Sequence, residues 1–438
     1  MLPYFKRVEE WFDETENPDQ HGHDGPIHVT APSASNRTYP LAEALEDSWH
    51  DIGVRTRPLY DLNAGDNLGL GELNENRRVD GRRQIANARY PLTGVTVLTE
   101  TMVSEVVLDT TSDGGDEDIV RATGVKLQNG TEFAGREIIL SAGAYRSPQI
   151  LMLSGIGPRD QLEQHGIRVQ VEAPDVGRNF RDHFRFVANW RLQDPSKGYA
   201  IGSDNPLFEE PQYGLGVHAS YVALTAADAE GLAAAIEKDE GGTADLDAHP
   251  LLRRTQATME TTVEWKVAHS ANEVPVDGTH ISSMMVGLKP TSRGSVRIRS
   301  ADIGDAPVIN PNYLATAADR YAWRAGMREL VELMTGDTAF GRDFIAEETP
   351  PDGQKALTVN STADHLEERL RDAGANVYHP MGSCAMGKVV DTDLRVYGVD
   401  GLRVVDASVI PIAIGAHTQA PTYALTEHAA AIIAGLVD

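Results

Sequence analysis

The sequence predicts a mixed α/β (α+β) fold with more than one domain. Three observations carry that expectation. Two short apolar runs of strand type, residues 136–140 and 402–405, each lead through a turn into a helical pattern. Several further alternating apolar runs of strand length lie between them, interrupted by one long amphipathic helical pattern. The length, 438 residues, allows two or three domains and a large core.

In chain order, residues 1–12 read as a helix with Tyr4, Phe5, Val8, Trp11 and Phe12 on one face. His21, His23 and His28 follow. No Cys or Glu joins them at ligand spacing, and Asp24-Gly25-Pro26 is turn chemistry, so no metal site is expected. Residues 40–52 give a second helix, with Leu41, Ala44, Leu45 and Trp49 on one side. Gly69-Leu70-Gly71 resembles a dinucleotide loop only superficially. No apolar strand precedes it and Asn74 holds the third glycine place, so a surface loop is expected. Strands are expected at 95–99, 103–108, 120–127 and 136–140, with an acidic hairpin-like loop at Asp113-Gly114-Gly115-Asp116.

Ser141-Ala142-Gly143 ends a strand with small residues that let the backbone approach a bound group. A helix opened by Pro148 is expected next, closing at the glycines near Gly155. Further strands are expected at 186–192, 214–224, 281–288 and 295–299, a mobile Gly/Asp-rich loop at 239–250, and an amphipathic helix at 321–334. Near the C-terminus, residues 402–405 form a strand, and Asp406 and Ser408 suit the turn that ends it. Pro421 suits a first helical turn with Thr418 as its cap, and Leu425, Ala429, Ile432, Ile433 and Leu436 recur at helical spacing.

Composition excludes several classes. The formal net charge of −26 argues against nucleic acid or an anionic membrane as partner. The spread of acidic groups, with arginine in excess of lysine, fits a high-salt cytoplasm, and a cytoplasmic setting is expected. No apolar run reaches the ~18 residues of a membrane span, and the first residues lack a signal-peptide core. The single cysteine, Cys384, forms no internal disulfide and reads as packing rather than as a nucleophile.

Two histidines remain, His379 and His417, on loops beside a strand and at a helix mouth. A helix N-terminus favours negative charge placed before it. The run Asn376-Val377-Tyr378-His379-Pro380-Met381-Gly382-Ser383-Cys384 comes first. Then come Gly401-Leu402-Arg403-Val404-Val405-Asp406-Ala407-Ser408 and Gly415-Ala416-His417-Thr418-Gln419-Ala420-Pro421-Thr422. Together they resemble the C-terminal signature of the glucose-methanol-choline (GMC) flavoprotein oxidoreductases. Residues 143–158 resemble the family's second signature. Val176-Gly177-Arg178-Asn179-Phe180-Arg181-Asp182-His183 resembles the run after it, and residues 289–296 and 310–314 resemble its substrate-domain wording.

The resemblance implies an FAD/NAD(P)-binding-type domain, incomplete at its start, plus an antiparallel-sheet and helix substrate-binding domain. Residues 86–185 and 371–438 fall to the first, and 1–85 and 186–370 to the second. It implies FAD as cofactor, with Val103, Ser141, Ala142, Gly143, Asp406, Ala407, Gln419, Pro421 and Thr422 near it. It implies oxidation of an alcohol, His379 taking the hydroxyl proton as hydride passes to flavin N5 and His417 hydrogen-bonding the substrate oxygen. Many members carry Asn where His417 stands, so no particular alcohol is implied, nor which electron acceptor (oxygen, quinone or dye-like) is used. The opening Gly-x-Gly-x-x-Gly strand-turn-helix of the family does not occur in this sequence. The expectation is therefore a truncated chain, or one partnered by a separate chain carrying that segment. Weak FAD binding by the chain alone and an uncovered apolar face should follow. A hydroxynitrile-lyase-like member and a non-enzymatic remnant are the alternatives.

Overall fold

The computed structural model describes residues 1–12, 18–111, 119–268 and 273–437. The expected acidic loop Asp113–Asp116 lies outside the described residues. Two packed bodies dominate the rest, each with its own core.

The larger is a seven-stranded antiparallel sheet. Its order runs Ile345–Thr349, Phe184–Leu192, His280–Gly287, Met259–Glu264, Ala219–Thr225 and Gly69–Glu72, with Ala375–Asn376 also paired to Phe184–Leu192. The period of two explains the packing. Phe184, Phe186, Ala188, Trp190 and Leu192 enter one core with Trp323, Met327, Leu330 and Met334 of the helix Ala317–Thr335. The approach is close: a side chain at Gly287 would come within 2.6 Å of the Trp323 indole nitrogen. The helix is held at its start by Thr316, whose hydroxyl accepts from the Asp319 backbone N–H at 3.2 Å.

The smaller body centres on a parallel pair, Ile138–Leu140 with Leu402–Val404, in register Ile138 to Leu402 and Leu140 to Val404. Val106, Ala122, Leu140, Leu151, Met152, Leu394 and Val404 share its core. A three-stranded sheet, Val103–Thr111, Ile119–Leu127 and Glu132–Ala134, lies alongside. The helix Gly143–Leu153 is tied to it where Ser154 Oγ accepts the Val106 N–H at 2.8 Å.

Several expectations need correction. The helix after Ser141 begins at Gly143, and Pro148 sits inside it rather than opening it. Proline has no N–H for the carbonyl of Ala144. Ser383 Oγ donates to that carbonyl instead, at 2.6 Å, so a helical defect becomes a tie to the segment carrying His379. Gly69-Leu70-Gly71 is no surface loop but part of an edge strand, with Leu70 fully buried. A side chain at Gly71 would run 2.6 Å from the Tyr60 carbonyl, so the small residue is what admits this packing. Residues 95–99 form no strand. Val95, Val97 and Leu98 are 59%, 55% and 53% exposed, and no partner strand borders them.

The first helix stops at Val8, and Glu9–Glu10 pairs in parallel with Ile27–His28. The strand expected from 214 starts at Ala219, after the short turn Pro211–Gly214. Asp239 belongs to the helix Ala229–Glu240, and its carboxylate accepts the Ala317 and Ala318 N–H groups at 2.7 and 2.9 Å. The last helix, Gln419–Ile433, starts two residues before Pro421, and Thr418 makes no side-chain cap. Leu436 lies beyond it, 73% exposed. Leu92, Val95, Val97, Leu98, Met102, Phe133 and Ile139 are exposed. No described helix is long and apolar enough to cross a membrane.

Candidate active site

His379 is placed by a short antiparallel exchange. The Arg181 N–H donates to the Met381 carbonyl at 2.9 Å and the Met381 N–H returns to Arg181 at 2.8 Å. The Val377 N–H donates to the His183 carbonyl at 3.2 Å, and the Asp182 carboxylate accepts the His379 N–H at 2.7 Å. Tyr378 adopts a left-handed φ of 64° between these contacts. Burial holds the Asp182 carboxyl up at about 6, even though the His379 N–H pulls the other way.

The loop carrying His417 is tied to the same segment. The Pro411 carbonyl accepts from the Arg181 guanidinium at 3.0 Å and from Asn179 Nδ2 at 3.2 Å. The Lys289 ammonium donates to the Ala413 carbonyl at 3.2 Å. His379 and His417 therefore meet edge to face, ring centroids 4.6 Å apart.

Each histidine has a further partner: Glu260 lies in no motif, and His183 ends the run 176–183 with no role assigned to it from the sequence. His417 Nε2 lies 2.8 Å from the Glu260 carboxylate, on the strand Met259–Glu264 of the large sheet. His379 Nδ1 lies 3.0 Å from Nδ1 of His183. Glu260 is 6% exposed and His183 fully buried, whereas the His417 side chain keeps 49% of its surface open.

These neighbours push the two histidines apart. Burial, then the charge of His417, then His183 hold His379 down at about 3. Burial and His417 hold His183 down at about 4. The Glu260 carboxylate raises His417. Burial alone would raise Glu260, but the imidazolium beside it carries the net shift downward. A neutral imidazole thus faces one biased toward the imidazolium. Environments that push two titratable groups apart in this way suit acid–base chemistry.

The other expected residues form a second group. Asp406 Oδ2 accepts the Gly143 N–H at 2.9 Å and the Ser147 hydroxyl at 2.6 Å, and Oδ1 accepts the Ser408 N–H at 2.7 Å. Ser141 and Ala142 are exposed at this junction, and Ala407 accepts the Gly382 N–H at 3.2 Å. Gln419, Pro421 and Thr422 lie together in the first turn of the last helix. There Gln419 Nε2 donates to the Gln84 carbonyl at 3.2 Å, and the Thr422 hydroxyl to Thr418 at 2.7 Å. Val103 stands apart, at the start of the strand that packs on the helix Gly143–Leu153, with no hydrogen bond to either histidine.

Cys384 is fully buried and burial pushes its thiol up, in keeping with packing. His21 is enclosed by Glu9 at 3.1 Å and Asp61 at 3.0 Å, one carboxylate on each ring nitrogen. Among the described residues no cluster of three His, Cys, Asp or Glu side chains is arranged to hold a metal ion.

The N-terminal GMC oxidoreductase model matches residues 1–185 and the C-terminal one residues 290–426. The chain belongs to the GMC oxidoreductase family. It is 37% identical over 399 residues to a GMC-type oxidoreductase, acuG, of Aspergillus aculeatus, covering 90% of this chain and 73% of that protein. It is 30% identical to an oxygen-dependent choline dehydrogenase of Rhizobium rhizogenes, covering 99% of this chain and 75% of the relative. Pyridoxine 4-oxidase from Mesorbium loti superposes with a TM-score of 0.76 at 26% identity, over 98% of this chain and 75% of its own. A formate oxidase gives 0.78 at 25%, over 99% and 78%.

GMC oxidoreductases are FAD-dependent. The residues present fit the redox end of that group. The last helix opens beside His417 with no side chain capping its first N–H groups. Gly143 stands at positive φ, 77°, with nothing within 4 Å of where a side chain would be. Ile139 and Tyr378 are 43% and 74% exposed. A helix mouth with uncapped N–H groups, a backbone position open to close approach and exposed apolar side chains are features that suit a flat aromatic ring system.

Proposed function

We propose that this GMC oxidoreductase oxidises the CH–OH group of a small alcohol, with His379 as general base. The observation that carries this reading is the pairing of His379, kept neutral at about 3, with His417, raised by Glu260. His379 takes the hydroxyl proton. His417 has its Nε2 engaged by Glu260, so Nδ1 is the nitrogen left to hydrogen-bond the substrate oxygen and stabilise the charge that develops there. FAD, when bound, supplies the acceptor for hydride. Ser141, Ala142, Gly143, Asp406 and Ala407 would border it on the strand side. Gln419, Pro421 and Thr422 would border it at the helix mouth, and Val103 further out.

Relatives named for choline and for pyridoxine, both alcohols, support this class of donor. In the same reading, residues 86–185 and 371–438 form the flavin-side domain, and 1–85 and 186–370 the substrate side. The parallel pairing of Ile138–Leu140 with Leu402–Val404 supports that division. The test is anaerobic stopped-flow absorbance of the holoenzyme against a panel of primary alcohols. Bleaching of the flavin by at least one of them is expected, and oxidised flavin throughout the panel would count against the reading.

A further inference from the structure

We propose that His183 is a positioning residue that fixes the tautomer of His379. The inference rests on the reading of His379 as base and asks what makes the right nitrogen available. Two neutral imidazoles touch through Nδ1 atoms 3.0 Å apart, so one of these atoms carries the hydrogen and the other accepts it. The rest of the His183 ring decides which. It is fully buried, and the backbone acceptors beside it are the carbonyls of Ile414 and Leu288. With Nδ1 taken by His379, the proton left for those carbonyls is on Nε2. Nε2 reaches neither in good geometry, but a bare lone pair there would face carbonyl oxygens in a dry interior. His183 therefore keeps its proton on Nε2 and accepts at Nδ1.

The consequence passes to His379. Its Nδ1 is the donor, so the lone pair sits on Nε2, to which no described residue hydrogen-bonds. Nε2 is then the atom free to take a hydroxyl proton. The opposite tautomer would turn that base position into a donor. The other charged or titratable groups around His379 are His417, across the ring contact, Glu260 behind it, and Asp182, which holds the His379 backbone N–H. Lys289 adds positive charge near His183. None of these groups contacts His379 Nδ1, so the tautomer is set by His183.

The test reads the tautomer directly. Long-range proton–nitrogen NMR of the full chain, labelled at histidine nitrogens, separates protonated from bare ring nitrogens, and His379→Gln assigns the signals. The expected wild-type pattern is a protonated Nδ1 and a bare Nε2 on His379. The reverse pattern overturns the proposal whatever the flavin does. His183→Leu, which accepts nothing, should mix the two tautomers. It should also slow anaerobic flavin reduction by about 100-fold or more, since a wrong tautomer in a catalytic triad costs up to about 10⁴. His183→Asn can place its amide oxygen near the lost Nδ1 and should restore both the tautomer and most of the rate. If His183→Leu keeps the wild-type tautomer, or Asn rescues no better than Leu, the proposal fails. If His379→Ala leaves flavin reduction intact while the tautomer pattern is as expected, the base reading fails and the positioning role stands.

Discussion

At the scale of the residue, the two histidines differ in environment rather than in kind. An ordinary imidazole titrates near 6.5, and the sequence alone would put an acid limb there. Burial and two neighbouring imidazoles hold His379 at about 3 instead. The rate of flavin reduction should therefore hold through pH 6.5 and fall only well below it. His379→Ala should lower that rate by about 100- to 10,000-fold with FAD content unchanged. His417→Asn should cost less, because Asn still offers a donor. A stopped-flow pH series on all three proteins checks both statements, and a wild-type rate in His379→Ala would remove the base. His417 supplies the opposite limb. Its folded value is raised, so its imidazolium is fully present below 6.5 and lost as pH rises through that raised value. Glu260→Gln removes the charge that raises it. The basic limb should move to lower pH and kcat/KM drop by about 10-fold, the scale of one charge-assisted hydrogen bond. An unshifted basic limb would mean that Glu260 does not set the charge of His417.

At the scale of the element, Asp406 joins what the chain separates. It takes the Gly143 N–H, the Ser147 hydroxyl and the Ser408 N–H at once, and so locks the start of one helix to the end of a strand far away in sequence. Removing it leaves several donors without a partner, each costing about 1–3 kcal/mol where buried. Asp406→Ala should destabilise the protein by about 3 kcal/mol or more in urea unfolding. A loss under about 1 kcal/mol would show that water replaces the carboxylate. Here the sequence was a partial guide. The period of two in residues 184–192 and the helical spacing in Ala317–Thr335 were legible, because each segment buries one regular face. The start of the helix at Gly143 was not, since Pro148 argued for a later one. Local preference gave way because Ser383, from a distant segment, satisfies the carbonyl that the proline leaves bare.

At the scale of the whole molecule, the net charge of −26 sets a repulsion that no single contact shows. Raising salt from about 0.1 to about 1 M shortens the screening length from about 10 to about 3 Å. The melting temperature should rise across that range, by about 1 °C for each ~1 kcal/mol of relief in a chain of 438 residues. A flat or falling curve in a thermal melt would show that ion pairs, which salt weakens, outweigh the repulsion. The sequence by itself determined the family, the strand and helix periods, and the two motif histidines, because these are written in contiguous residues. Only the tertiary structure decided which groups surround those histidines. Glu260 comes from a strand that no motif marks, and His183 stood in a quoted run without a role. Both act by proximity across the fold, and protonation responds to what lies within a few ångströms in space, however far away it is along the chain.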